Sequence, residues 1–162
     1  MKRINLKKVR TQLLWLATLV VACSSAPDPL PEEIYQFKLH QKMIGEEAST
    51  YLDKMHLGQV SAPENAIGFY RGEKGSATLY VSYYANPELA RSNWQKMTHK
   101  ISPENSVFIE GTYLDIQGKR IYRCFGMGQT HYVFPHHQQL FWLSVETLIA
   151  SEFLSEYLHY LQ

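Results

Sequence analysis

Three histidines within seven residues are the side chains of this sequence whose type and spacing could do chemistry. His131, His136 and His137 lie close together, and neutral imidazoles bind Zn, Cu or Ni readily. In a hairpin His131 and His137 could face the same way, which makes them candidate metal ligands. A third ligand is not evident, and the sequence has no HExxH or CxxC motif. Pro135-His136-His137 is also typical of a polar turn, so both interpretations stay open.

Motifs for nucleophilic catalysis or nucleotide binding are weak. Cys124 lies in an alternating segment and is predicted to be a buried core residue. The sequence has no GxSxG motif, and Ser82 and Ser144 fall within predicted strands. Gly126-Met-Gly128 is predicted to be a turn, because a strand follows it where a dinucleotide site needs a helix. A hydrolase would require a serine, or Cys124, to meet a histidine in a pocket.

Aromatic residues are the most unusual feature of the composition. The chain has 11 Tyr, 7 Phe and 3 Trp. Alternation places Tyr80 and Tyr84 on the opposite strand face from Leu79 and Val81, and Trp142 opposite its neighbours. Tyr80, Tyr84 and Trp142 are therefore candidate binding residues, since rigid aromatic surfaces suit proteins or glycans. The alternative is that these residues only contribute to the stability of a β-rich sheet.

The first 22 residues have the pattern of an export signal. Five basic residues stand among residues 1–12, and the ten residues from Leu13 to Ala22 carry no charge. A basic region followed by a short apolar run is typical of a signal peptide. The run is too short to cross a bilayer, which takes roughly 20 apolar residues.

The segment Val20-Val21-Ala22-Cys23 resembles the lipobox of bacterial lipoproteins. The resemblance implies cleavage before Cys23 and acylation of that cysteine, which becomes the membrane anchor. In Gram-negative members an aspartate after the cysteine favours inner-membrane retention. Ser24 stands there instead, which implies an outer-membrane lipid anchor facing the periplasm. The resemblance covers about the first 25 residues, and we match the remaining chain to no characterised family.

The charge of the processed chain argues against nucleic-acid binding. Residues 1–22 hold five of the 16 basic residues and no acid, which leaves 11 basic against 15 acidic residues, a net charge of −4. Phosphate neutralisation dominates nucleic-acid affinity, so an acidic domain is a poor candidate. We predict a signal peptide at 1–22, a Pro- and Ser-rich tether at 23–32 and one domain at 33–162.

Patterning predicts the order strand, helix, hairpin, helix, four-stranded meander and helix. Asn86-Pro87-Glu88 is a clear helix start, and its apolar stripe predicts that Trp94 is a core residue. The strand after it is predicted to bulge near Gly111. These elements predict an α+β fold, mainly an antiparallel sheet, with the helices packed on one face.

We therefore expect an envelope lipoprotein that is not an enzyme and that needs no cofactor. Its expected role is binding or assembly. The expected partners are an unidentified envelope protein and the membrane, to which the lipid anchors the chain. A periplasmic metal- or small-ligand-binding protein is the first alternative, and a hydrolase is the second.

Overall fold

The computed structural model describes residues 27–56, 62–101 and 107–162. Cys23 and the predicted signal peptide lie outside these ranges. No helix formed by the described residues is long and apolar enough to cross a bilayer. The elements of the described part are β1 (Glu33–Ile34), β2 (Phe37–Ile44), α1 (Glu46–His56), β3 (Glu64–Gly72), β4 (Gly75–Tyr83), α2 (Pro87–Lys100), β5 (Ile109–Ile116), β6 (Lys119–Gly126), β7 (Gln129–His136), β8 (Gln139–Glu146) and α3 (Ala150–Tyr160).

The strands form one antiparallel sheet, which confirms the predicted α+β class and the dominance of the sheet. The strand order is β1-β2-β3-β4-β8-β7-β6-β5, and each neighbouring pair is antiparallel. Short turns join β1 to β2, β3 to β4, and the four strands of the meander β5–β8, whereas helix α1 lies in the connection between β2 and β3. The connection through α2 carries the chain from β4 to the far edge, so the meander β5–β8 returns and pairs β8 with β4.

The two ends of the sheet can be told apart by their turns. The β5–β6 and β7–β8 turns lie at one end, which we call the tether end. The β3–β4 and β6–β7 turns lie at the other, which we call the mouth end. Met127 and Gly128 form the β6–β7 turn with φ of 50° and 79°, a left-handed pair typical of tight hairpins. Gly126-Met-Gly128 is thus part of a turn, as predicted.

The pairing of β5 with β6 is irregular near Gly111, where the sequence predicts a bulge. The register with β6 shifts between Ile109 and Thr112. A Cβ on Gly111 would lie 1.9 Å from the hydroxyl oxygen of Tyr122. With glycine at this position the Tyr122 side chain can lie against the strand, and the left-handed residue at the irregularity is Glu110, with φ of 55°.

Helix α2 begins and packs as the sequence predicts. The side-chain oxygen of Asn86 accepts a hydrogen bond from the Leu89 N–H at 2.9 Å, and Pro87 is the first helical residue. Trp94 is buried, and its indole N–H donates to the Val133 carbonyl at 2.9 Å. Cys124 is also buried, in the same cluster of residues, as predicted.

Helix α3, together with the segment before β2, covers one face of the sheet. Its buried side chains Phe153, Leu154, Tyr157 and Leu158 belong to the largest apolar cluster, which includes buried residues from seven of the eight strands. Phe153 packs edge-on against Phe37 with ring centroids 5.7 Å apart. This cluster is the main core, because burial of apolar area is the dominant favourable term in folding.

The prediction that all helices pack on one face is wrong. Helices α1 and α2 lie on the face opposite α3, where α1 contacts β2 and β3 and α2 contacts β7 and β8. Each helix there forms its own apolar cluster with the sheet, one around Leu52 and Ile67 and the other around Trp94 and Val133. The reason is that β3, β4, β7 and β8 carry apolar or aromatic side chains on both faces, so both faces need cover.

The segment just before β1 belongs to the packed domain. Residues 23–32 were predicted to be a tether, yet Leu30 is 2 % exposed and lies in the main core. The hydroxyl of Tyr157 donates to the Pro29 carbonyl at 2.6 Å, and Tyr70 donates to the Pro31 carbonyl at 3.0 Å. The Pro-rich sequence satisfies these contacts because proline keeps its carbonyl acceptor while lacking an N–H.

Candidate functional site: a cleft between two helices

The face covered by two helices contains a cleft that residues of both α1 and α2 line. The cavity has a volume of about 480 Å³, within the range of about 300–1,000 Å³ that small-ligand sites have. We call it the interhelical cleft. It is lined by Leu52, Met55, Tyr80, Ser82, Met97, Val107, Phe108, Met127, His131, Leu140, Trp142 and Ser144.

The floor of the cleft is built by the central strands of the sheet. Tyr80 pairs with Trp142, and Ser82 pairs with Leu140, across the β4–β8 ladder. His131 on β7 pairs with Ser144 on β8. Because alternate residues of a strand share a face, these positions all point away from α3. Two candidate binding residues, Tyr80 and Trp142, thus lie together on this floor.

Methionines form much of the wall and the rim. Met97 on α2 is half-buried, whereas Met55 on α1 is 49 % exposed and Met127 in the β6–β7 turn is 73 % exposed. Val107, just before β5, is 71 % exposed. Flexible thioether side chains adapt to ligands of irregular shape, and exposed apolar side chains around a cavity are typical of binding surfaces.

Phe108, His131 and Trp142 form an aromatic cluster at the mouth end of the cleft. The Phe108 ring centroid lies 4.9 Å from that of His131 and 5.4 Å from that of Trp142. The His131 and Trp142 centroids are 5.7 Å apart. The rings meet at angles of 60–78°, which aromatic quadrupoles favour over a flat stack.

Hydrogen bonds fix the tautomer of His131. Its Nε2 lies 3.0 Å from the Gly126 carbonyl oxygen, which can only accept, so Nε2–H is the donor. Nδ1 is then the acceptor, 2.9 Å from Ser144 Oγ and 3.1 Å from Trp142 Nε1. Burial lowers the pKa of His131, and the bond to the Gly126 carbonyl only partly opposes this. The imidazole is therefore neutral at pH 7.

The other polar groups of the cleft also have partners within the protein. Ser82 Oγ donates to the Asn65 side-chain oxygen at 2.7 Å. The Tyr80 hydroxyl lies 3.9 Å from the Met55 sulfur, and burial raises the pKa of Tyr80 to about 12, so the phenol is uncharged. A ligand in the cleft thus meets mainly apolar surface and neutral polar groups whose strongest hydrogen bonds are already made.

The contact of Ser144 with His131 has the chemistry of a nucleophile beside a base. A serine hydroxyl at 2.9 Å from an imidazole acceptor can be deprotonated during attack on an ester. Trp142 Nε1–H competes for the same two atoms, at 3.2 Å from Ser144 Oγ and 3.1 Å from His131 Nδ1. The same three groups therefore also satisfy one another as a buried polar cluster on the cleft floor.

The structure does not bring the two candidate metal ligands together. His131 is 1 % exposed on the cleft floor near the mouth end, whereas His137 lies exposed in the β7–β8 turn at the tether end. Between them, His136 donates from Nε2 to the Leu161 carbonyl at 3.2 Å and contacts Lys119 Nζ at 3.0 Å. Within the described ranges, no group of three or more His, Cys, Asp or Glu side chains is placed to hold a metal ion.

Two further residues singled out in the sequence lie outside the cleft. Tyr84 is buried in the cluster beneath α2, so it is part of the packing beside the cleft. Burial raises the pKa of the Cys124 thiol to about 11. A buried thiol of this pKa is protonated at neutral pH, which makes it a poor nucleophile.

Sequence reasoning missed the helix and loop residues of the cleft. Helical spacing groups Met55 and Met97 with the apolar stripes of α1 and α2, and local patterns place Val107 and Phe108 in a strand and Met127 in a turn. One available signal was the apolar Val107 and Phe108 directly before a strand, next to a turn that exposes Met127. Their meeting with α1 depends on the sheet order and could not be found from local patterns.

A second hollow of about 480 Å³ lies along the outer side of α1. Its lining includes Glu46, Glu47 and Lys54, which are exposed. Charged side chains in water make this a solvated groove between α1 and β2. The interhelical cleft, with its apolar floor and aromatic cluster, is the better candidate site.

Comparison with known proteins supports the fold but gives no evidence about the function. No protein-family model matches the chain, and no curated protein matches it. Among solved structures, the chain is similar to a Thermotoga maritima protein described as a GTP binding regulator. The TM-score is 0.55 and the identity 17 %, and the alignment covers 80 % of each chain. A likeness at this identity shows a shared fold, and folds host many functions.

Proposed function

We propose that this protein is an envelope lipoprotein, anchored through acylated Cys23, whose domain binds a mainly apolar small ligand in the interhelical cleft. The anchor rests on the basic and apolar residues 1–22 and on the lipobox-like Val20-Val21-Ala22-Cys23. Ser24 after the cysteine favours the outer membrane. The domain itself acts without catalysis, and its partner is the ligand or an envelope protein that presents it.

The observation that carries the binding role is the chemical character of the cleft. Its walls are aliphatic, thioether and aromatic, and its polar groups are hydrogen-bonded within the protein. A charged or strongly polar ligand would lose its hydration there without gaining partners. An apolar ligand, such as a single acyl chain, gains from burial against the same walls.

Photo-crosslinking in cells tests the binding role on the full chain. A fatty acid that carries a diazirine is added to cells that express the protein, and the crosslinked peptides are identified by mass spectrometry. We expect crosslinks at cleft residues such as Met55, Met97 and Trp142. Met97→Trp should remove them, because the larger side chain fills the cleft.

The matched control for that experiment is Lys96→Trp, which adds the same side chain to the exposed side of α2. It should leave the crosslinks in place. Crosslinks scattered over the surface, or unchanged in Met97→Trp, would count against a ligand in the cleft. The anchor is tested separately by labelling with radioactive palmitate, which Cys23→Ser should abolish.

A hydrolase is the second candidate function, favoured by one observation, the contact of Ser144 Oγ with His131 Nδ1 at 2.9 Å. If this pair acts on esters, a fluorophosphonate probe should label Ser144, and Ser144→Ala should lose the label. Ser82→Ala is the control, because Ser82 lines the same cleft but bonds to Asn65. Absence of labelling at Ser144 would leave the polar cluster with a structural role.

A further inference from the structure

The N-terminal segment of the domain is clamped in place by three tyrosine hydroxyls. Tyr157 donates to the Pro29 carbonyl, Tyr70 to the Pro31 carbonyl, and Tyr160 to the Asp28 carbonyl at 2.8 Å. Leu30 lies between these contacts and is buried in the main core. Burial raises the pKa of Tyr157 and Tyr70 well above the usual range, so both hydroxyls remain protonated donors. We call Asp28–Pro31 with these tyrosines the tyrosine clamp.

The clamp leaves little chain between the domain and Cys23. The segment from Cys23 to Asp28 contains five peptide units, which span at most about 18 Å when fully extended. The described domain has strands of eight residues, which are about 26 Å long. If Cys23 carries a lipid, the distance from the clamp to the bilayer is therefore shorter than the length of the domain.

The clamp extends along the sheet, with the Tyr70–Pro31 contact in the mouth half and the Tyr160–Asp28 contact at the tether end. Tyr160 is the last residue of α3, and the next carbonyl, that of Leu161, accepts a hydrogen bond from His136 at the end of β7. Gln162 follows and donates to Gln117 in the β5–β6 turn at 3.1 Å. The chain that leads to Cys23 thus leaves the domain at the tether end, on the face covered by α3.

The exposed rim of the cleft lies on the other face, with Met127 and Val107 at the mouth end and Met55 beside Tyr80 on β4. Met127 is in the β6–β7 turn, and Val107 precedes β5 beside Gly126 at the end of β6. Met55 is in the last turn of α1, which starts beside Asn65 at the tether end. The whole rim is therefore separated from the clamp by the thickness of the sheet, and Met127 and Val107 are also separated from Asp28 along the strands.

We propose that the tyrosine clamp and the short chain before it hold the cleft with its rim directed away from the anchoring membrane. This holds whether the domain stands on its tether end or lies on its α3 side, because the rim is on the face opposite α3 and its Met127 and Val107 are at the mouth end. A ligand dissolved in the anchoring bilayer then cannot reach the rim, and the acyl-type ligand must be presented from the facing side. The inference rests on the proposed lipid anchor and cleft function.

Energy transfer from single labelled sites tests this orientation on the full, lipidated chain bound to vesicles that contain an acceptor lipid. Val107→Cys places a donor dye at the rim, and Gln138→Cys places it in the β7–β8 turn; both positions are exposed. Native Cys124 is buried and does not compete for the dye. We expect efficient transfer from residue 138 and a marked loss of transfer at residue 107.

A long-tether variant shows whether the short chain is the cause. Forty Gly and Ser residues inserted after Ser25 have an r.m.s. span of about 35 Å, which lets the domain turn over. The difference between residues 107 and 138 should then largely disappear. Equal transfer from the two positions in the parent chain would overturn the proposed orientation, as would a difference that the insertion leaves intact.

The experiment distinguishes a wrong prediction of the orientation from a wrong prediction of the lipid anchor. Flotation of the labelled chain with the vesicles reports the anchor itself, and the Cys23→Ser chain is its negative control. A chain that does not float would refute the proposed lipoprotein and, with it, the orientation. A chain that floats with equal transfer from both positions would refute the orientation alone.

Discussion

The two faces of the sheet are built in opposite ways from similar side chains. On one face, a single helix and the clamped N-terminal segment close a continuous core in which Phe37, Phe141 and Phe153 are fully buried. On the other, two helices form two separate clusters with a cleft between them. The α3 face therefore supplies most of the stability, and the α1–α2 face leaves room for a ligand.

The comparison is tested most strongly by truncating one apolar side chain on each face. Phe153→Ala on α3 should lower the free energy of unfolding by about 3–5 kcal/mol, because it leaves a cavity in the closed core. Met97→Ala should cost only about 1 kcal/mol, because Met97 is half-buried beside space that is already open. Urea unfolding of both variants measures the difference, and equal losses would refute the contrast between the faces.

A smaller effect is expected from removing a hydroxyl of the tyrosine clamp. Tyr157→Phe leaves the Pro29 carbonyl buried without its donor, which should cost about 1–3 kcal/mol. Tyr160→Phe removes an exposed hydrogen bond to Asp28 and should cost about 0.5 kcal/mol or less. Thermal unfolding distinguishes the two. If Tyr160→Phe proved the more damaging, the clamp would depend on its exposed contact.

The pH dependence of stability tests the cleft side of the sheet separately, through His131. Burial lowers the folded-state pKa of His131 below its usual value of 6.5. Above pH 6.5 the imidazole is neutral in both states; as the pH falls below 6.5, the unfolded chain takes up the proton first and stability decreases. The decrease ends when the pH passes the lowered folded-state pKa.

Chemical unfolding at pH 7.5 and 5.5 measures this loss of stability. His131→Gln should reduce the loss, because glutamine does not titrate. His136→Gln should reduce it less, since burial also lowers the pKa of His136 but this residue lies half-buried at the tether end. A loss that neither substitution changes would place the pH dependence elsewhere in the chain.

The smallest expected effect concerns the ion pair beside the clamp. Lys42 Nζ lies 2.6 Å from Asp28 Oδ2, and both side chains are substantially exposed. Lys42→Ala should therefore change the free energy of unfolding by about 0–1 kcal/mol, and less at high salt. Unfolding at two salt concentrations tests this. A larger, salt-independent loss would mean that Lys42 is part of the packed clamp.

Local patterns predicted the elements well because the signals are local. The start of α2 follows from Asn86 and Pro87, the bulge from Gly111, and the burial of Trp94 from helical spacing. The packing of the helices was not predictable in this way. Alternation shows that Tyr80 and Trp142 share a face, but it does not show that a helix covers that face.

What the sequence by itself determined is the α+β class, the resemblance of Val20–Cys23 to a lipobox and the order of the elements from α1 onward. The single strand predicted before α1 is two strands, β1 and β2, because Tyr35 and Gln36 form a turn with φ of 49° and 53°. What only the tertiary structure decided is the cleft and its direction. Pairing of β8 with β4 brings Trp142 beside Tyr80, and it sets α1 and α2 apart on one face while α3 closes the other. These contacts join residues far apart in the chain, so they depend on which strands pair and not on the local spacing of residues.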